Sequence, residues 1–238
     1  MHIENFFVFF GSEKDNLRVN NHYDLEKIRR LQKKLSQQSG RNLDGLLFLK
    51  QTHSADVVVL NADNKSEFLS SHFQQPGDAI ITAEKNMGIG VVTADCLPLV
   101  LYDTKNHAIG VIHAGWRGLS GKIISNTVRK MKKTFGTKSA ELEVYFGPSA
   151  GVCCYEVQPD FLHHFPDTVF ENKIIETRGG KFYFNECRAA FVELLENKVD
   201  AAAINFSKNN CTICQPGFCS ARVQKENAGR QPTVCILF

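Results

Sequence analysis

Residues 88–118 read GIGVVTADCLPLVLYDTKNHAIGVIHAGWRG, and they contain the most regular apolar pattern of the chain. Its apolar runs over residues 88–93, 97–102 and 108–112 have the length and composition of buried strands. A short polar break places Asp95 and Cys96 at a strand junction, and His113 directly follows the third run. The pattern therefore predicts a sheet whose strand ends carry a thiol and an imidazole.

Working outward, helical periodicity marks three segments, and short apolar runs mark further strands. The first predicted helix covers residues 23–36, and the third covers residues 186–198. The second helix follows residues 115–118, and its inward face comprises Leu119, Ile123, Ile124, Thr127, Val128 and Met131. Strands are predicted over residues 1–10, 46–49, 57–60, 77–82, 141–146, 201–206 and 233–238, whereas residues 61–75 show no periodicity. No repeat or linker interrupts this order, so we expect one mixed α/β domain over residues 1–238.

The composition is that of an ordinary globular protein. Apolar residues make up 43% and charged residues 22% of the 238 positions, and the formal net charge is only +3. Scattered basic residues do not indicate a nucleic-acid partner, and no apolar run approaches the roughly 20 residues that cross a bilayer. Without a recognisable export signal, we expect a cytoplasmic location and interpret the eight cysteines as thiols. The sequence does not indicate an oligomeric state.

Three residues are candidate metal ligands. His53 lies in a polar corner between two predicted strands, while Cys96 and His113 lie at strand ends. Two imidazoles and one thiolate can hold a soft divalent cation and leave its fourth position free. Such a vacancy is typical of catalytic zinc sites, since structural zinc normally has four protein ligands.

Several longer sequence motifs give this chain a resemblance to a known family. They are Gln51-Thr52-His53, Gly77-Asp78-Ala79, Thr93-Ala94-Asp95-Cys96-Leu97-Pro98, His113-Ala114-Gly115-Trp116-Arg117-Gly118, Gly147-Pro148, Cys154-Tyr155-Glu156-Val157 and Cys211-Thr212. In this order they resemble the YfiH-like, or polyphenol oxidoreductase laccase, family, which includes the peptidoglycan editing factors.

The resemblance implies a fold, a metal and a set of activities. The fold would be a layered α/β sandwich similar to the catalytic domain of cytotoxic necrotizing factor. Zinc, or copper in some preparations, would be bound by His53, Cys96 and His113. The activities would be phosphorolysis of adenosine, inosine and methylthioadenosine together with deamination of adenosine, and bacterial members also have a role in peptidoglycan composition. The partners would thus be a purine nucleoside and phosphate.

The same words contain further candidate site residues. Arg117 precedes a predicted helix and is suited to phosphate, with Arg222 and Arg230 as weaker candidates. Asp95, next to the thiol ligand, could orient a ligand, accept a proton or simply cap a turn. Two further candidate substrate contacts are Gln51 and Glu156. The family usually continues its Cys-Thr word into Ser-Tyr-Arg-Arg, but here Ser220-Ala221-Arg222-Val223 keeps only the serine and the first arginine, so substrate preference is expected to differ.

Three alternative functions use the same residues. Cys96 could be the nucleophile of a hydrolase or deamidase, with His113 as its base. A non-catalytic module that binds muropeptides would use the metal for stability alone. A copper polyphenol oxidase is less consistent with the sequence, because only two of the eight histidines lie in the recognised motifs.

The remaining cysteines are expected to be structural. Cys211 and Cys214, with Cys219 nearby, have the spacing of a metal knuckle or a redox pair, but no second knuckle of that spacing is present. Adjacent Cys153 and Cys154 are predicted to be packed thiols.

Overall fold

A computed structural model describes residues 2–3, 5–19, 22–165 and 169–238. The strands are β1 (His2–Ile3), β2 (Phe6–Phe10), β3 (Arg18–Val19), β4 (His22–Tyr23), β5 (Gly45–Phe48), β6 (Val57–Leu60), β7 (Ala79–Thr82), β8 (Met87–Thr93), β9 (Leu97–Asp103), β10 (Ala108–Ala114), β11 (Leu142–Phe146), β12 (Glu156–Val157), β13 (Ile175–Arg178), β14 (Lys181–Phe184), β15 (Ile204–Asn205) and β16 (Gln231–Leu237). The α-helices are α1 (Leu25–Ser39), α2 (Lys65–Ser70), α3 (Trp116–Ser120), α4 (Ile123–Phe135), α5 (Glu186–Glu196) and α6 (Ala221–Gln224).

Two large sheets form the centre of the fold. The first has the strand order β1-β2-β16-β8-β5, and the second has the order β15-β11-β9-β10-β7-β6. Most neighbouring strands are antiparallel, including β9 with β10, whose register pairs His113 with Pro98. The β5–β8, β6–β7 and β11–β15 pairs are parallel. Cys96 directly precedes β9, and His113 lies near the end of β10. The antiparallel register therefore brings both residues to the same end of these two central strands.

Three apolar layers hold four structural layers together. The two sheets pack face to face through a core that includes Phe6, Ile89, Val100 and Val111. Helix α1 packs on the outer face of the first sheet, and helices α4 and α5 pack on the outer face of the second sheet. Both sheets are therefore buried on both faces, which explains why their strands are continuous apolar runs. The predicted layered α/β sandwich is confirmed.

Most of the predicted elements are present, with four differences. The predicted strand over residues 1–10 is two antiparallel strands, β1 and β2, in the described part of that range. The predicted helix after residues 115–118 is two helices, because Lys122 adopts a left-handed φ of 63° between α3 and α4. The predicted strand over residues 201–206 is reduced to β15, since residues 201–203 form a 3-10 turn. Residues 61–75 contain the short helix α2, which the polar sequence did not indicate.

A smaller sheet of order β12-β14-β13 was also not predicted. It begins directly after Tyr155 and flanks the site described below. Within the described part of the chain, no helix combines the length and apolar character that spanning a membrane requires.

Candidate metal centre

Three separate segments bring His53, Cys96 and His113 together. Their potential ligand atoms all lie within 4.8 Å of one another. The Cys96 Sγ atom is 3.9 Å from His53 Nε2, and the two imidazole rings meet edge to face with centroids 4.8 Å apart. The predicted convergence of these residues is therefore present in the structure, whereas their role as ligands stays a prediction.

Asp78 organises the two histidines. Its fully buried carboxylate lies 2.7 Å from His113 Nδ1 and accepts hydrogen bonds from the backbone N–H groups of Thr52, His53 and Ser54. Burial alone would raise the pKa of this carboxyl, but the hydrogen bonds and charge of His113, with those from Ser54, hold it well below its usual value. Because Nδ1 of His113 is engaged, Nε2 is the nitrogen left to bind a cation.

The backbone around His53 is shaped for close approach. His53 itself has a left-handed φ of 61°, which its backbone hydrogen bond to Asp78 helps to hold. A Cβ atom on Gly115 would lie only 3.0 Å from Cys96 Sγ and 3.3 Å from His53 Cδ2, so glycine is needed there. Partial desolvation and the neighbouring His113 lower the pKa of His53, which keeps a nitrogen lone pair available near neutral pH.

Asp95 connects the centre to the C-terminal segment. It is buried with a left-handed φ of 88°, and its two carboxylate oxygens accept hydrogen bonds from Thr212 Oγ1 at 2.7 Å and Arg222 N at 2.8 Å. Its backbone oxygen accepts a further bond from Ala150 N at 2.7 Å. With both carboxylate oxygens engaged, Asp95 can hold Cys96 and Arg222 in place; the predicted catalytic role stays a prediction.

The three candidate ligands open onto a cavity of about 460 Å³. This volume lies within the range of about 300–1,000 Å³ found for small-molecule sites. The cavity is lined by four positively charged arginines, Arg18, Arg117, Arg222 and Arg230. Among the described lining residues Asp95 is the only carboxylate. The cavity is therefore suited to an anionic ligand.

The structure places the other predicted site residues as follows. Arg117 and Arg222 are exposed, and their guanidinium groups lie 4.5 Å and 5.1 Å from the ring centres of Trp116 and Tyr155. Arg230 also lines the cavity, but its guanidinium donates hydrogen bonds to the backbone oxygens of Ala228 and Gly229.

Gln51 and Glu156 differ in their relation to the cavity. Gln51 lines it, yet its side-chain amide is occupied: Nε2 donates a hydrogen bond to Val92 O at 2.9 Å, and Oε1 accepts one from Val92 N at 2.8 Å. Glu156 does not line it; this carboxylate lies in an adjacent groove and forms an ion pair of 2.9 Å with Lys181. Glu156 is thus separated from the three candidate ligands, and its predicted substrate contact is not supported by this placement.

The donor set fits zinc. One thiolate and two imidazoles are ligands of catalytic zinc sites, and the fixed Nδ1 of His113 is the usual outer partner of a metal-binding histidine. In the cation-free protein, burial and the nearby Glu186 and Asp95 raise the pKa of the Cys96 thiol. A bound cation would deprotonate such a thiol, whereas an uncoordinated thiol of this kind is a poor nucleophile.

A model of the multi-copper polyphenol oxidoreductase laccase family matches residues 11–237. The chain belongs to this family. A purine nucleoside phosphorylase of Clostridium acetobutylicum is 30% identical over 233 residues, which cover 95% of this chain and 90% of that protein. The adenosine deaminase RL5, from an unknown prokaryotic organism, is 34% identical over 204 residues, covering 82% and 76% of the two chains. The crystal structure of Bacillus licheniformis YfiH shares the fold, with a TM-score of 0.82, 22% identity and coverage of 94% and 86%. These findings confirm the family resemblance drawn from the motifs.

Sequence reasoning missed two parts of the site in this laccase-family protein. The organising role of Asp78 was not predicted, because its hydrogen-bond partners lie 24 to 35 positions away in the sequence. Arg18 and Tyr23 line the cavity from a short hairpin far away in sequence, and no local pattern marked them.

Proposed function

We propose that this chain is a zinc-dependent purine nucleoside phosphorylase acting on adenosine, inosine and methylthioadenosine. The observation that carries the proposal is a three-residue metal-ligand cluster at a cavity lined by four arginines. The relative from Clostridium acetobutylicum, named a purine nucleoside phosphorylase and matched over nearly the whole chain, supports the same reaction.

Phosphorolysis needs phosphate held beside the anomeric carbon of the nucleoside. A phosphate oxygen bonds to that carbon while the bond to the purine nitrogen breaks, and the purine leaves with the bonding electrons and then takes up a proton. The two most exposed cavity guanidiniums are those of Arg117 and Arg222. Arg117 can bind phosphate oxygens in pairs, and Arg222, whose Nη1 donates a hydrogen bond of 3.0 Å to the backbone oxygen of Glu156, offers its remaining N–H groups. They also lie over Trp116 and Tyr155, whose rings offer flat surfaces for a purine base.

Zinc would be held by His53 Nε2, Cys96 Sγ and His113 Nε2. When bound, it would supply a Lewis acid beside the substrate. Asp78 keeps the proton on His113 Nδ1. Asp95, which directly precedes Cys96, accepts a hydrogen bond from Arg222 N and so holds the segment that carries Arg222 beside Cys96. These residues thereby set the distance between the metal centre and the anion-binding side of the cavity.

The direct test is phosphate-dependent release of hypoxanthine from inosine by zinc-loaded protein. We expect turnover with phosphate and none without it, and a loss of at least about 100-fold in Cys96→Ala, as for other groups close to the chemistry. Cys235→Ala, in the core between the two sheets, is the matched control and is expected to retain activity. Zinc-loaded protein that turns over none of the three nucleosides would refute the proposal.

Adenosine deamination is a second activity, favoured by the similarity to RL5. Deamination would convert adenosine and water into inosine and ammonia with or without phosphate, whereas phosphorolysis would convert adenosine and phosphate into adenine and ribose 1-phosphate. Because the products differ, one chromatogram of each reaction separates the two activities.

A further inference from the structure

A second cluster of potential metal ligands lies outside the cavity. The sulfur atoms of Cys153, Cys154, Cys211 and Cys214 all lie within 4.8 Å of one another. None of the four lines the cavity, and all are free thiols. Cys153 and Cys214 are exposed, so the expectation that Cys153 is a packed thiol is wrong. Cys219, which the sequence places beside this pair, is buried and is not part of the cluster.

The backbone is built to bring the two cysteine pairs together. Ser149 and Cys211 form a parallel β-bridge, supported by hydrogen bonds from Thr212 N to Ser149 O at 2.9 Å and from Ser149 N to Asn210 O at 3.0 Å. A Cβ atom on Gly151 would lie 3.0 Å from Cys153 Sγ and 3.2 Å from Cys211 Sγ. A side chain at this position would therefore crowd both sulfurs.

The turn from Cys211 to Cys214 favours a thiolate. Gly151 N lies 3.2 Å from Cys211 Sγ. Donation of N–H groups to a ligand sulfur is how a protein orients and tunes a metal-bound thiolate.

The spacing of the sulfurs fits a tetrahedral ion. Zinc bound to sulfur at about 2.3 Å gives an S–S separation of about 3.8 Å across a tetrahedron. The Cys153 and Cys214 sulfurs are 3.8 Å apart. Four thiolates without imidazole or carboxylate are a closed donor set, typical of structural zinc and unlike the three-ligand centre at the cavity.

We propose that Cys153, Cys154, Cys211 and Cys214 bind a second, structural zinc ion. The ion joins the loop that leaves β11 to the segment that follows β15. Tyr155 directly follows one cysteine pair, and Thr212, which binds Asp95, directly follows Cys211. Zinc at this position therefore fixes one wall of the cavity without contacting the substrate. The inference does not depend on the enzymatic reaction.

Metal counting on the full chain tests the proposal. Native mass spectrometry of reduced, zinc-replete protein is expected to show two zinc ions per chain. Cys96→Ala should lose one ion and Cys214→Ser the other, while Cys219→Ala, a cysteine in the same segment outside the cluster, should keep both. A wild-type protein that carries one zinc ion, or a second ion that survives Cys214→Ser, would overturn it. The proposal would also be overturned if Cys153 and Cys214 formed a disulfide and the protein bound no second zinc ion after its reduction.

Cobalt provides a readout that does not require a new cysteine variant to fold. In Cys96→Ala the cavity centre has no sulfur ligand, so a thiolate-to-cobalt charge-transfer band can arise only from the second cluster. We expect Co²⁺ to produce this band in Cys96→Ala protein and equimolar Zn²⁺ to abolish it. Absence of the band in folded Cys96→Ala protein would contradict the four-cysteine site.

Discussion

At the scale of single residues, Asp78 has the largest organising effect on the metal centre. One buried carboxylate fixes the tautomer of His113 and holds three successive backbone N–H groups of the His53 corner. The three ligand candidates could be predicted from the sequence because each stands in an unusual word beside an apolar run. Asp78 could not, since its partners lie 24 to 35 positions away.

Asp78→Asn is therefore expected to weaken zinc binding by about 10- to 100-fold, as is common when an outer partner of a ligand is lost. An amide cannot accept as many hydrogen bonds as a carboxylate, and it removes the charge beside His113. Competition with a chromophoric chelator measures the affinity. Asp56→Asn, an exposed change in the same corner, is the control. Equal affinities in the two variants would contradict this role.

Glu186 predicts a pH dependence of stability. Burial raises the pKa of this carboxyl well above its usual value, with the nearby Asp95 also raising it. The unfolded chain therefore releases the proton near pH 4.3, whereas the folded protein keeps it, so the free energy of unfolding falls as pH rises above that value.

Glu186→Gln removes this loss, because glutamine does not ionise. We expect the variant to be more stable than wild type at pH 7, with a difference that shrinks as the pH falls towards about 4, where the unfolded chain also keeps the proton. Urea unfolding at several pH values measures it, with the exposed Glu226→Gln as control. A difference that does not change with pH would show that the fold does not raise the pKa of Glu186.

At the scale of elements, apolar pattern and length predicted the strands of the two central sheets. The prediction was poorer where backbone conformation, and not burial, decides the structure. Residues 119–131 have a continuous helical pattern, yet Lys122 at φ 63° separates α3 from α4. The small β12-β14-β13 sheet has two short or partly exposed outer strands, which leave little periodic signal.

Lys122→Gly should consequently stabilise the protein by about 0.5–1 kcal/mol, because glycine adopts the left-handed conformation without a steric cost. The exposed ion pair with Glu196 that is lost contributes little. The same change at Lys130, inside α4, should cost about 1 kcal/mol. Thermal melts of the two variants provide the comparison, and equal destabilisation would mean that Lys122 is not strained.

At the scale of the whole molecule, the four layers place candidate ligands from three distant segments together, at one end of the central strands of the second sheet. The fold class could be predicted from alternating elements and family words. The cavity could not, since its arginines come from Arg18 near the start, Arg117 in the middle, and Arg222 and Arg230 near the end of the chain. Only the folded topology brings these positions together.

That residues 1–238 form one domain stays a prediction. The sheets share a continuous core, and β16 near the C-terminus pairs with β2 near the N-terminus. We therefore expect calorimetric and van't Hoff enthalpies of unfolding to agree for zinc-saturated protein, as for a single cooperative unit. Two resolved transitions, with one lost on truncation, would indicate separate domains.

The central claim is that His53, Cys96 and His113 share one cation beside the arginine-lined cavity. Crystals of zinc-loaded protein measured at the zinc absorption edge test it most directly. We expect an anomalous peak about 2.0–2.1 Å from both histidine Nε2 atoms and about 2.3 Å from Cys96 Sγ, with no fourth protein ligand. Zinc-saturated crystals without a peak between these three residues, or with a fourth side chain closing the site, would contradict it.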